Sequence, residues 1–358
     1  MGERIRALEV LVLMGSVDVF IPNYNYARWL WTTIESVLTQ EGVDLRVCVV
    51  DNASTDNSVE VVRAAMATDS RVHLIEHAEN MGLIASLNDG VNWATGDYAI
   101  NLSADDALAP GWLASAVAAL DANPQAAFAF GPARVFNQTL PEPRRSPRRT
   151  VTVHEGTEFI SSTCALGANR IRSPEGIFRV SVQREVGPFS QSLPYSSDMG
   201  MWLGLASRGS VIELRGPVAA FYRMHGTNMS TGDHLQALSD LEYPLAAIEE
   251  WYDRDGDRVP GSAAMVVTAH KKFARMAMRR IPIAFLREPT NPQSKLFEGL
   301  VAFALENDPS LARQVERIRT IASSRPVQRV GVALAPATSV ALKTRRVVVA
   351  ARVRRGLM

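Results

Sequence analysis

Tyr98-Ala99-Ile100-Asn101-Leu102-Ser103-Ala104-Asp105-Asp106-Ala107-Leu108 is the stretch from which the fold is read. An apolar run, which predicts a buried strand over 98–102, ends abruptly in two adjacent carboxylates. Such a pair suits a core poorly, because burying unpaired charge is costly. At the C-terminal end of a strand in an open α/β sheet it would lie where ligands bind. Hard oxygen ligands suit Mg2+ or Mn2+, and Mg2+ takes one or two carboxylates with substrate phosphates beside them. Asp105 and Asp106 therefore suit a metal–diphosphate site. They also suit capping of a helix that Pro110-Gly111-Trp112 would start.

Upstream, the pattern alternates. Val17-Asp18-Val19-Phe20-Ile21-Pro22 predicts a strand closed by proline, and Leu30, Ile34 and Leu38 mark one face of a helix over 27–40. Residues 45–50 form a valine-rich apolar run broken only by Arg46, which suits a parallel strand buried on both faces. A helix over 58–67, a short strand over 72–75 and a helix over 83–94 follow. Thr95-Gly96-Asp97 then turns into the opening strand. This βαβ series implies a mostly parallel, Rossmann-like sheet flanked by helices. Right-handed crossovers bring the strand ends to one edge. Asn23, Asn25, Asp51, Asp56, Asp105 and Asp106 all fall after strand ends, more polar groups than caps alone explain. The glycine fingerprint of dinucleotide-binding sheets and the P-loop are both absent after the first strand, which argues against those enzyme classes.

Composition sets the outer bounds. The chain has 358 residues, is 47% hydrophobic and carries a net charge of +1, so it can bury a large core and offers no global attraction for nucleic acid. Cys48 and Cys164 are no disulfide framework and lack partners at zinc spacing, which fits a cytoplasmic setting. Arg4 and Arg6 before residues 7–14 loosely imitate a signal peptide, but Glu9 interrupts the apolar segment, so a lead-in to the first strand is expected.

Several blocks appear in a telling order: Val19-Phe20-Ile21-Pro22-Asn23-Tyr24-Asn25, Val49-Val50-Asp51-Asn52-Ala53-Ser54-Thr55-Asp56, Asn80-Met81-Gly82, Ala94-Thr95-Gly96-Asp97-Tyr98 and Ser103-Ala104-Asp105-Asp106. Together they resemble an inverting family 2 glycosyltransferase of the GT-A fold, over roughly residues 16–232. The resemblance implies a nucleoside-diphosphate sugar donor with a pyrimidine base, a UDP- or dTDP-sugar, and a divalent cation. It places Pro22, Tyr24 and Asn25 beside the nucleoside, Asp51 on the base, and Asn80, Gly82, Ser103, Ala104 and Asp105 around the rest of the donor. Asp105 matches the last acid of the family's D-x-D motif, whose first acid is here Ser103, so metal binding would rest on Asp105 with Asp106 as helper or cap.

Downstream, Ala114 to Leu120 reads as helix and residues 126–130 as strand. Pro141-Glu142-Pro143-Arg144-Arg145-Ser146-Pro147-Arg148-Arg149 is a loop, either a solvated insertion or a cover for the diphosphate or an anionic acceptor. Ile177-Phe178-Arg179 resembles the family's acceptor-side segment. Ser197-Asp198-Met199-Gly200-Met201-Trp202-Leu203 resembles its acidic motif, which implies that Asp198 is the general base; capping of the following helix can coexist with that role. In Ala220-Phe221-Tyr222-Arg223-Met224-His225-Gly226 the resemblance implies that His225 reaches the metal or diphosphate.

A catalytic domain over 1–232 and a helical C-terminal region over 233–358 are expected, with helices over 241–251, 263–281 and 300–321, the last broken near Pro309. Basic residues among valines over 340–355 suit either a peripheral membrane contact or a solvated terminus. The acceptor would be a hydroxyl of a glycan, a lipid-linked saccharide or another molecule. A sugar nucleotidyltransferase and a non-catalytic nucleotide-sugar or glycan-binding protein are the rival classes. Asn23-Tyr24-Asn25-Tyr26 is no Gly-rich phosphate loop, which counts against the first; Ser103 and Ser197 in place of acids suggest the second.

Overall fold

The alternation of side chains along one strand sorts the core into two layers. In β1 (Met14–Asn23), Val17, Val19 and Ile21 enter a cluster with Leu30, Ile34 and Trp112, while Phe20 enters a second cluster with Ile84, Leu87 and Val91. The computed structural model describes residues 14–142, 149–226, 238–287 and 295–322. The lead-in before residue 14, positions 143–148 of the arginine-rich loop, positions 227–230 of the His225 segment, the expected 232/233 boundary and the basic stretch over 340–355 lie outside the described residues.

Strands β2 (Val43–Asp51), β3 (Val72–Glu76) and β4 (Tyr98–Asn101) lie parallel to β1, with α1 (Ala27–Leu38), α2 (Ser58–Thr68) and α3 (Leu83–Trp93) as crossovers. β2 and β3 continue on one side of β1, whereas β4 lies on the other. That reversal is a topological switch point, and the crevice at its strand ends is where open α/β sheets bind ligands. Asn23 pairs in register with Asp51, and Phe20 with Asn101, so the polar ends of β1, β2 and β4 share one edge, as expected.

The eight-stranded sheet runs β3-β2-β1-β4-β9-β6-β10-β8. Strand β6 (Ala126–Phe130) follows α4 (Trp112–Asp121), and β10 (Ser210–Arg215) lies parallel to β6. Strand β9 (Gly176–Arg179) runs antiparallel between β4 and β6, and β8 (Thr150–His154) is an antiparallel edge. A three-stranded sheet of β5 (Ala107–Leu108), β11 (Ala220–Arg223) and β7 (Ala133–Phe136) sits over the end of β4. The mostly parallel character holds, with β9 and β8 as the strands that run against the rest of the main sheet.

The remaining helices are α5 (Gly156–Leu166), α6 (Val180–Val186), α7 (Ser197–Ala206), α8 (Ser239–Asp255), α9 (Ser262–Arg287), α10 (Lys295–Asn307) and α11 (Ala312–Ala322). The break expected near Pro309 is a short 3-10 turn, Pro309–Leu311, between the last two. One apolar cluster joins Phe128, Phe178 and Trp202 to Trp251, Phe273 and Phe297, so the C-terminal helices share a core with the sheet. Asp255, which is 1% exposed, meets Arg208 at 2.9 Å and Arg254 at 2.7 Å and ties α8 to the end of α7. Among the described residues no helix is long and apolar enough to cross a membrane.

The α3–β1 contact tolerates no side chain at one point. A Cβ on Gly90 would lie 2.4 Å from the Phe20 ring. Overpacking of this kind costs about 1–3 kcal/mol. Gly90→Ala is expected to lower the urea midpoint accordingly without changing the dependence on urea concentration, whereas alanine at an unobstructed helix position would stabilise.

Candidate active site

The turn after β4 is held from several sides. Thr33 Oγ1 of α1 lies 2.9 Å from the Ala104 carbonyl and 2.7 Å from the Asp106 carbonyl, which share its one proton. Arg223 of β11 donates its backbone N–H to Asp106 Oδ1 at 2.8 Å and its Nε–H to the Asp105 carbonyl at 2.7 Å. Asp106 is thereby buried at 1% exposure, and its carboxyl serves the sheet-to-sheet join. It does not cap α4, whose N-cap is Gly111, which corrects that part of the expectation for this residue. Burial, then the Asp105 charge, pushes its pKa well up.

Asp105 faces His225, with Oδ2 2.9 Å from Nε2. The imidazole stacks on Trp29 at 4.4 Å and lies 5.8 Å from the Tyr26 ring. Two ligands in adjacent positions of an octahedral cation, each at about 2.1 Å, are separated by about 3 Å. The Asp105–His225 spacing fits that arrangement, and the Asp105 carboxylate with substrate phosphate suits Mg2+ or Mn2+, the imidazole adding a nitrogen donor beside them. Among the described residues no group of three or more His, Cys, Asp and Glu could hold a metal ion. The fit is therefore to a cation shared with a ligand.

Asp105 lines a cavity of about 300 Å³ with Pro22, Asn101, Ser103, Ala104 and Asp198. Asp198 comes from the first turn of α7, whose N-cap is Ser196, so it does not cap the helix. Its Oδ1 accepts from the Met199 N–H at 2.8 Å and its Oδ2 from Asn169 Nδ2 at 2.8 Å. Burial raises its pKa from 3.8 to about 6. That value suits a general base working near neutrality. Glu175, behind the cavity wall, is pushed to about 8 by burial, and the Tyr26 hydroxyl to about 12 by burial and the Asp105 and Asp106 charges.

A second cavity of about 510 Å³ adjoins the first through Pro22, Tyr26 and Leu83, and includes Tyr24, Asn25, Asn52 and Asn80. Its rim is cross-linked by amides. Asn25, at a φ of 60°, accepts the Thr55 N–H at 2.7 Å. Asn52 donates to Asn80 at 2.8 Å and accepts the Met81 N–H at 2.8 Å. Asp51 lies beneath, 1% exposed, accepting from Asn23 Nδ2 at 2.7 Å and from the Ser54 hydroxyl and N–H at 2.7 and 2.9 Å. Asp51 and Gly82 line neither cavity; Pro22, Tyr24, Asn25, Asn80, Ser103, Ala104 and Asp105 do. Arg149, the one described arginine of the basic loop, donates to the Pro217 and Val218 carbonyls at 2.6 and 3.1 Å. Asn169, Tyr195, Tyr222, Trp29 and Tyr26 escaped the sequence reading. Tyr26 and Trp29 adjoin the named Pro22–Asn25 loop, whereas Tyr195 and Tyr222 reach the first cavity, and Asn169 reaches Asp198, from elements distant in the chain.

Residues 18–176 match Glycosyl transferase family 2. The chain is 25% identical over 218 residues to a glycosyltransferase of Haemophilus influenzae, covering 60% of this chain and 67% of that one. It is 36% identical over 94 residues to the chondroitin synthase of Pasteurella multocida, covering 26% of this chain and only 10% of the synthase. Among solved structures, Staphylococcus aureus TarS in complex with UDP-GlcNAc superposes with a TM-score of 0.61 at 14% identity, covering 90% of this chain and 88% of that one; the likeness is one of fold.

The Asp198 pKa carries a sign. The folded chain holds this proton until pH about 6, whereas the ordinary value is 3.8, so the stability it contributes at low pH is lost as pH rises through 6. A tenfold change in proton affinity corresponds to about 1.4 kcal/mol, and partial exposure of the side chain to the cavity reduces the whole. Asp198→Asn, which needs no proton, is expected to be about 1–2 kcal/mol more stable than wild type at pH 8 and equal to it at pH 4. Denaturant unfolding at the two pH values measures this; equal stability at both would show that the carboxylate is not desolvated.

Proposed function

We propose, from the match of residues 18–176 to Glycosyl transferase family 2, that the chain moves a sugar, with inversion, from a UDP- or dTDP-sugar to a saccharide hydroxyl in glycan synthesis. The observation that carries the reading is one cavity lined by both Asp105, which His225 meets at 2.9 Å, and Asp198. A displacement with inversion needs the leaving group and the base on opposite faces of the anomeric carbon.

The second cavity suits the nucleoside. Tyr24 and Pro22 offer apolar faces, and Asn23, Asn52 and Asn80 offer amide edges. Asp51 holds the loop beneath in shape through Asn23 and Ser54. Binding energy gained there, remote from the reacting bond, aligns the diphosphate towards Asp105. Asp105 and His225 are the residues that would hold a divalent cation, whose charge offsets that developing on the departing diphosphate. Asp198 takes the proton of the acceptor hydroxyl as its oxygen bonds to the anomeric carbon. The C–O bond to the diphosphate breaks, and its electron pair leaves with the nucleoside diphosphate. Ser103 and Ser197 stand where acids are expected, yet one carboxylate remains on each side of the cavity.

Thermal shift with UDP-, dTDP- and GDP-sugars, with and without Mn2+, tests the donor assignment, because a ligand that binds the native state raises the midpoint by mass action. A UDP- or dTDP-sugar is expected to stabilise most, and more so with Mn2+. Asp105→Asn is expected to lose the Mn2+-dependent increment and to lower transfer by about 100-fold or more, since a Lewis-acidic metal supplies several kcal/mol. Retention of both would place the cation elsewhere.

A further inference from the structure

A third cavity, of about 310 Å³, opens beside the base on the side of the C-terminal helices. Its wall takes Asn169 and Tyr195 from the sheet-bearing part of the chain and Asp240, Tyr243, Pro244 and Arg280 from α8 and α9. Tyr195 lines this cavity and the Asp105–Asp198 cavity alike. Asn169, whose Nδ2 holds Asp198 Oδ2 at 2.8 Å, stands between the two. The third cavity thus adjoins the acceptor side of the proposed reaction and is built largely by helices that supply none of the proposed donor contacts.

The geometry points to this cavity as a subsite for a neutral sugar unit of the acceptor chain, next to the unit whose hydroxyl faces Asp198. The inference rests on the glycosyltransferase reading for the identity of the chain being extended. Tyr195 and Tyr243 form an aromatic pair with ring centroids 5.0 Å apart and planes at 56°, and Tyr195 remains 36% exposed. An aromatic face is electron-rich, and the C–H face of a pyranose, slightly positive, packs against it. Beside the rings, Arg280 and Asp240 lie 3.5 Å apart and half-buried. The pair offers donors and an acceptor to sugar hydroxyls while its charges offset each other, so an anionic sugar gains no net attraction. Pro244 adds a further acceptor, since it has no N–H to give the Asp240 carbonyl one helical turn earlier.

The test uses the full chain on an array of neutral and acidic oligosaccharides, followed by calorimetry with the neutral oligosaccharide that binds tightest. Tyr243→Ala is expected to weaken that binding at least tenfold. Tyr243→Phe, which keeps the ring, is expected to stay within threefold. UDP-GlcNAc affinity, measured on the same samples, is expected to be unchanged in both Tyr243 variants and reports that they are folded. Equal oligosaccharide binding by Tyr243→Ala and wild type, no neutral binder on the array, or binding of acidic chains alone would overturn the subsite. Failure of wild type to bind any of the UDP-, dTDP- and GDP-sugars would instead sink the glycosyltransferase reading, whatever the oligosaccharide result.

Discussion

The join between the Asp106 carboxylate and the Arg223 backbone is the constraint on which the site depends. It fastens the turn after β4 to a strand more than a hundred residues later, at 2.8 Å and out of water. A buried carboxyl is expensive unless hydrogen-bonded, so this contact is high-stakes in both directions: formed, it fixes the turn; lost, it leaves an acid stranded in the core. Arg223 secures the same turn again through the Asp105 carbonyl, and its guanidinium packs 4.4 Å from the Phe136 ring. Since His225 lies two residues beyond Arg223, fixing β11 also fixes the Asp105–His225 pair. Two adjacent acids of identical chemistry thereby divide their roles, one structural and one facing the cavity.

The far wall depends on a different device. Strand β9 enters the main sheet antiparallel, between β4 and β6, and the 3-10 turn before it, Ser173–Glu175, brings Ser173 to the cavity. Behind β9, Phe178 packs edge-on against Trp202 of α7, with centroids 6.2 Å apart. That contact seats the helix whose first turn carries Asp198. The C-terminal helices close on the same core through Trp251 and Phe273. The position of the proposed base is therefore set by packing that involves the whole described chain, not by its own loop.

Electrostatic contrast follows from this architecture. Asp198 shifts upward through burial yet keeps an amide donor from Asn169 and a backbone N–H, which favour its charged form. Glu175 has one backbone donor and an orphaned Oε2, and stands higher, at about 8. Near neutral pH the first can accept a proton and the second already holds one, burial and the Asp198 charge both raising it.

Much of this was legible in the sequence. The βαβ rhythm, the edge on which Asn23, Asp51 and Asp105 gather, and the helices of the first hundred residues follow from local periodicity, because parallel strands buried on both faces are written as apolar runs. Asp105, Asp198 and His225 were also named, through the ordered motifs around them. Local pattern could not show that Asp106 turns away to serve β11, that Asp51 is consumed by Asn23 and Ser54, or that β9 inserts antiparallel into the sheet. Nor could it reveal Asn169 and the Tyr195–Tyr243 pair. Each of these is a contact between segments far apart in the chain, and a residue's neighbours in space, not in sequence, decide whether a polar side chain faces a cavity or closes a join. The sequence determined the elements and the edge where they end; tertiary packing decided which of the polar groups on that edge remain available for chemistry.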